Sequence, residues 1–211
     1  KLSNATLDNI TVDGITSDTY VVNNGIDINL KYDSYENITI RDSTVANVSE
    51  GDPLNSNPSA SVAVTIKARG SSPDDTSYTS TPAALDDVTI ENVVIGDSFN
   101  GLRIGEFGKD YSGGGGPTDV TITSSTFRNT SGYYLEDLPD SVDLATVQSN
   151  NDFVGSTIES DVGIYTSIQA AVDTADSGDT VSVGPGTYNE SVSISTANVT
   201  LEGPNAGTPG Y

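Results

Sequence analysis

IYTSIQAAVDTADSGDTVSVGPGTYNESVSISTANVTLEG, residues Ile164 to Gly203, opens on a short amphipathic run and continues in alternating ones. Ile168, Ala171, Val172 and Ala175 fall at i, i+3, i+4 and i+7, one apolar face of a helix. Thr166 and Gln169 have capping-box spacing at its start, and Ser177-Gly178 ends it. Thr180-Val181-Ser182-Val183 then alternates like a half-buried strand, and Gly184-Pro185-Gly186 dictates a turn. Val192-Ser193-Ile194 and Asn198-Val199-Thr200-Leu201 alternate in the same way. A short helix followed by short strands at sharp corners predicts the start of a solenoid, the helix plugging the open end of its first coil.

Upstream, residues 1–135 repeat one motif. Asn9-Ile10-Thr11-Val12-Asp13, Asn37-Ile38-Thr39-Ile40-Arg41, Asp87-Val88-Thr89-Ile90-Glu91 and Asp119-Val120-Thr121-Ile122-Thr123 share the form Asn/Asp, apolar, Thr, apolar, polar. The intervals are 28, 50 and 32 residues, and Asn198-Val199-Thr200-Leu201 is a fifth copy. Return at such a period indicates a repeat architecture. Each copy is followed by further apolar residues: Ile15, Val45 with Val48, Val93 with Ile95, and Phe127. A third alternating run appears at Ile26 to Leu30, Val62 to Ile66 and Leu102 to Ile104. Three short strands per coil predict a parallel β-helix with Val, Ile and Leu stacked inside. Asn and Asp suit left-handed corners, and the lack of tight Asn-Gly hairpin turns weighs against an antiparallel sandwich.

The succession SIQAAVDTADSGDTVSVGPGTY, then ES, then ANVTLEGPNAG, resembles the opening motif of right-handed parallel β-helix proteins of the pectin-lyase-like superfamily. It is most similar to versions in acidic cell-surface proteins of halophilic archaea. The resemblance implies an all-β fold, a right-handed parallel β-helix with one short capping α-helix. It implies little about activity, because that superfamily holds both enzymes and inert scaffolds.

Net charge is −22, from 30 acids against 8 bases, and 22 of the acids are Asp. At ordinary ionic strength such self-repulsion opposes the compact state. In molar salt the screening length falls to roughly 3 Å and the repulsion largely disappears. A protein adapted to high salt is the expectation, and nucleic acid and anionic membranes are poor partners for it. With no Cys there is no disulfide or thiol chemistry, and with no His the commonest general base is missing. No stretch approaches the roughly 20 apolar residues of a membrane span. The chain starts at Lys1, which reads as a mature product or a window cut from something longer.

Three parts are expected: coils over 1–135, a connector over 136–163 packing on the coil end, and a cap with a first coil over 164–211. Residues 49–61, 70–84 and Gly113 to Pro117 read as Ser/Pro/Gly/Asp-rich projecting loops. A cap that comes last could begin a second module, fold back on its own chain, or stack on a neighbouring subunit. The third arrangement gives a heterologous contact that propagates as a filament.

Asn4, Asn9, Asn37, Asn47, Asn129, Asn189 and Asn198 each head an Asn-x-Ser/Thr sequon, so N-linked glycans are a candidate modification. The coil motif itself generates several of these, and Asn4, Asn47, Asn129 and Asn189 lie outside it. A basic strip is expected on the wall of the third run, with Asp27, Lys31, Lys67, Arg69 and Arg103. It reads as a solvated face, as an assembly surface steering copies of the chain together, or as a groove for an acidic polysaccharide. The family's lyases use an Arg or Lys base beside a Ca²⁺-neutralised carboxylate, but only Asp27 joins this strip and no catalytic motif is present. No cofactor is expected. A structural Ca²⁺ could find oxygens at Asp74-Asp75, Asp86-Asp87 or Asp176 with Asp179. The expected function is non-catalytic: an extracellular or cell-surface β-solenoid module assembling end to end at high salt. The alternative is a lyase-like enzyme, or a carbohydrate-binding or adhesin module, using the strip.

Overall fold

The computed structural model describes residues 3–16, 23–49, 61–69, 82–112 and 114–207. Most of the loops expected at 49–61 and 70–84, Asp74-Asp75 included, fall outside these residues. The strands form two eight-stranded sheets. The first is parallel throughout: β1 (Ala5–Asp8), β2 (Thr11–Asp13), β4 (Ser34–Ala46), β6 (Ala84–Gly96), β8 (Gly116–Pro117), β9 (Val120–Thr123), β10 (Thr126–Arg128) and β12 (Asp152–Val154). The second runs β16-β15-β13-β14-β11-β7-β5-β3. In it β3 (Asn24–Leu30), β5 (Val62–Ala68), β7 (Asn100–Ile104) and β11 (Tyr133–Asp137) are parallel. β14 (Gly163–Tyr165), β13 (Ile158–Ser160) and β15 (Thr180–Val183) then continue it antiparallel, and β16 (Thr200–Glu202) closes it parallel to β15.

This overturns the expected right-handed parallel β-helix with a single capping helix. Two multi-stranded sheets, one parallel and one mixed, take the place of a solenoid, and no closed coil forms among the described residues. The physical reason lies at the supposed corners. Asn37, Asp42, Asp87 and Asn92 have φ of 50 to 58°, yet β4 and β6 stay paired on both sides of them, from Ser34↔Ala84 to Ala46↔Gly96. What read as separate strands at a corner is one kinked 13-residue strand.

The kinks line up across the first sheet. Asn4, Asn37, Asp87 and Asp119 form one left-handed column, Asn9, Asp42, Asn92 and Ser124 a second, and Gly14, Asn47, Asp97 and Asn129 a third. Short side chains that hydrogen-bond locally tolerate this region, whereas most residues are strained there. The columns bond between layers: Asn37 Nδ2 donates to Asn4 Oδ1 at 2.9 Å, Asn92 to Asp42 at 2.6 Å and Asn129 to Asp97 at 2.8 Å. Buried serines repair the ladder where it kinks. Ser125 Oγ accepts the Val93 N–H at 3.1 Å and donates to the Thr123 carbonyl; Ser43 and Ser98 do the same for Ile10 and Val48. The register also reassigns the first repeat. Ala5, Thr6 and Leu7 pair with Ile38, Thr39 and Ile40, so Asn4 heads it, and Thr11–Asp13 matches the second apolar pair.

The main core lies between the sheets, with Ile38, Ile40 and Ile90 from one face and Ile66, Leu102 and Ile104 from the other, all fully buried. Phe127 and Phe153 stack at 4.8 Å at its edge, and Tyr134 meets Phe153 edge-on. A second helix, α1 (Leu144–Asn150), falls in the expected connector, capped by Asp143, which accepts the Thr146 N–H. Residues 164–207 join the second sheet of their own chain through β14. There α2 (Ile168–Thr174) covers Tyr133, Ile158, Tyr165 and Val181 with Ala171 and Val172.

The cap of α2 is Ser167, one residue after the expected Thr166, whose hydroxyl instead donates to the Gly132 carbonyl at 2.9 Å. Glu190 supplies the rest, its two oxygens accepting the N–H groups of Ile168 and Gln169 at 2.9 and 3.0 Å, where a carboxylate suits the free donors and dipole. The strand expected at Val192-Ser193-Ile194 does not form. Its middle residue bonds to a side chain: Gln169 Oε1 accepts from Ser193 N at 2.7 Å, and Gln169 Nε2 donates to Ser193 O at 3.1 Å.

Candidate functional site

Strand alternation sends Ile26, Ile28, Val64, Ile66, Leu102 and Ile104 into the core, and so turns Asp27, Thr65, Lys67 and Arg103 to the opposite face of the second sheet. The register sets Asp27, Thr65, Arg103 and Glu136 side by side on successive strands. Of the expected strip, Asp27, Lys67 and Arg103 lie on this face, and Lys67, Arg69 and Arg103 each meet a carboxylate. Lys67 Nζ lies 3.1 Å from Asp27, Arg69 Nε 2.6 Å from Glu106, and Arg103 Nε 2.7 Å from Glu136 Oε2. Lys31 sits exposed just beyond β3.

The Arg103–Glu136 pair is set apart by burial, at 4% and 5% exposed. The Arg103 guanidinium also lies over the Tyr133 ring, 5.5 Å from its centre, a favourable placement for a cation. Burial works against the Arg103 charge, but Tyr133 and Glu136 outweigh it and raise its pKa. Burial pushes the Tyr133 hydroxyl well above its ordinary value and that of Tyr165 to about 12, so both stay protonated at neutral pH. Asp137 next door is raised by burial although it accepts bonds from Ser141 and Val142.

Beside this pair a cavity of about 460 Å³ opens between the turn after β7, the end of β11 and the last turn of α2. Phe107, Leu138, Val162, Thr174, Glu136 and Asp173 line it. The sequence reading missed Glu106, Glu136, Tyr133 and this cavity. Tyr133-Tyr134-Leu135 is a run of apolar residues with a register shift, so its alternation could not show which way Glu136 points.

The other candidates are spread over the molecule. Asn4, Asn9, Asn37, Asn47, Asn129 and Asn198 all sit at left-handed positions, with φ of 48 to 62°. In four of them Nδ2, the atom a glycan would occupy, is a donor: Asn37 and Asn129 as above, Asn47 to Asp13, and Asn198 to Ser177. Asn189 is exposed, next to Glu190. Asp86 accepts from Thr118, and Asp179 Oδ2 accepts the Asp176 N–H. Among the described residues no three acidic side chains gather as a metal cage, and no helix is long and apolar enough to cross a membrane. Comparison of the chain with protein-family models, curated proteins and solved structures found no match.

Proposed function

We propose that this chain is a non-catalytic structural module of an extracellular surface or filament-forming protein, associating with copies of itself at high salt. The observation that carries this reading is the set of open sheet margins. Among the described residues β1 and β12 end the first sheet, β3 and β16 end the second, and each of these strands has a strand partner on one side only. Under the β1 and β3 margins Leu7, Val12 and Ile15 are only partly buried against the core. Val154 beside the β12 margin and Leu201 in β16 are exposed, at 48% and 43%. Edges of this kind template pairing with another chain. The margins at the two ends differ, so self-pairing between them is heterologous and propagates. The acidity keeps such a module dispersed until salt screens it.

Electron microscopy of the protein in molar salt tests this, with intact mass taken on the same sample. Filaments with a regular axial repeat are expected, and mass above 21.8 kDa would add covalent glycans to the picture. Single particles at every salt concentration would overturn the assembly. The alternative, a polysaccharide groove on the strip, is tested by binding of the parent protein to an acidic polysaccharide. Ion pairing of Lys67, Arg69 and Arg103 predicts none.

A further inference from the structure

The cavity beside α2 has a composition that structural packing does not require. Phe107, in the turn after β7, is 53% exposed, although Leu138 and Val162 offer apolar surface across the same cavity. Both charged lining residues are acids, and no cation is among the lining residues. At the floor, Arg103 engages Oε2 of Glu136, and among the described residues no bond is made by Oε1. On the wall, Gln169 Nε2, one turn back along α2, donates to Oδ1 of Asp173 at 2.6 Å.

We propose that this cavity binds a protonated primary amine carried on an apolar or aromatic stem. The stem lies against Phe107, Leu138 and Val162, and the ammonium sits between Asp173 and the free oxygen of Glu136, within reach of the Phe107 ring. Three kinds of contact combine there: the Asp173 carboxylate for charge with the second Glu136 oxygen as a hydrogen-bond acceptor, a ring face for the cation, and an apolar wall for the stem. An anion is excluded by the two acids, and a neutral isostere loses the charge contacts while keeping the wall. A free amine and a lysine side chain share this chemistry. The cavity volume, about 460 Å³, accommodates either.

The test is ligand-observed NMR on the whole chain with three probes of one shape: phenethylamine, 2-phenylethanol and 3-phenylpropionate. Nα-acetyl-lysine amide, with its ε-ammonium free, serves as a fourth, to separate a free amine from a lysine side chain. Saturable binding of phenethylamine is expected at physiological salt, with the alcohol weaker by about tenfold and the acid not binding. Phe107→Ala and Asp173→Asn, both at exposed positions where folding is not at stake, are each expected to weaken the amine by roughly fivefold. Equal binding of amine and alcohol would overturn the proposal. So would absence of saturable amine binding, or unchanged affinity in both variants. The outcome is separable from assembly, since no lining residue lies in the margin strands β1, β3, β12 or β16.

Discussion

Arg103 and Glu136 face each other across two parallel strands with Tyr133 beneath them, and they show how burial changes the worth of a charge. The other ion pairs of the second sheet are partly exposed and contribute little, because solvent screens them. A buried pair is different. Removing one member leaves the other's charge in low dielectric without that counter-charge, at a cost of about 3–5 kcal/mol. Glu136→Gln is therefore expected to lower stability by that amount in chemical denaturation, while Lys67→Gln shifts it by less than about 1 kcal/mol. Equal effects of the two changes would show that Arg103 is hydrated. The left-handed asparagines obey a related rule. At Asn37 the backbone conformation, with φ of 56°, and not the side chain's exposure, decides which residues fit.

A kinked strand is the structural unit of the first sheet. After Asn9, Asn47 and Asn92 one backbone N–H leaves its ladder, and a serine from the next layer accepts it. Ser125 is 1% exposed, so Ser125→Ala leaves the Val93 N–H buried without an acceptor. The expected loss is about 1–3 kcal/mol, read from the denaturation midpoint. A loss below about 0.5 kcal/mol would mean that water takes the serine's place. The helix α2 makes the same point at an element's end. Its free N–H groups are answered by Glu190, 22 residues downstream of Ile168, and Gln169 in turn holds Ser193 in the manner of a strand. Helix and tail are thus one unit, each supplying the bonds that the other's local sequence lacks.

Over the whole molecule, a net charge of −22 sets how stability responds to solution conditions. Raising KCl at neutral pH is expected to raise the unfolding temperature, by screening the repulsion. Acid acts in the same direction at low salt. Burial raises the carboxyl pKa of Asp137 and of Glu159. A carboxyl raised in the folded state binds its proton there first, so folding takes up protons. That stabilisation is complete below the unfolded value, about 4, and is lost as pH rises through the folded one. The unfolding temperature at low salt should climb as pH falls from neutrality towards about 5. A monotonic fall over that range would mean that the ion-paired carboxylates dominate instead.

The residues by themselves determined much of the interior, although Ile10 and Leu201, read as the same motif, are exposed. Alternating Val, Ile and Thr around Asn/Asp marked Ile38, Ile40, Val88, Ile90 and Ile122 as one stacked face, and the i, i+3, i+4 spacing marked α2. Those are local properties, read from the period of the backbone. Local pattern could not say whether Asn37 and Asp42 end a strand or bend it, because the left-handed conformation is the same in both cases; only pairing with β6 keeps the strand continuous. Nor could it place Glu136 opposite Arg103, 33 residues away, or Glu190 on a helix it follows, since both depend on register between distant strands. The cavity under Phe107 is the furthest case. Its walls come from β7's turn, β11's end, the approach to β14 and α2, so it exists only once the mixed end of the second sheet has assembled.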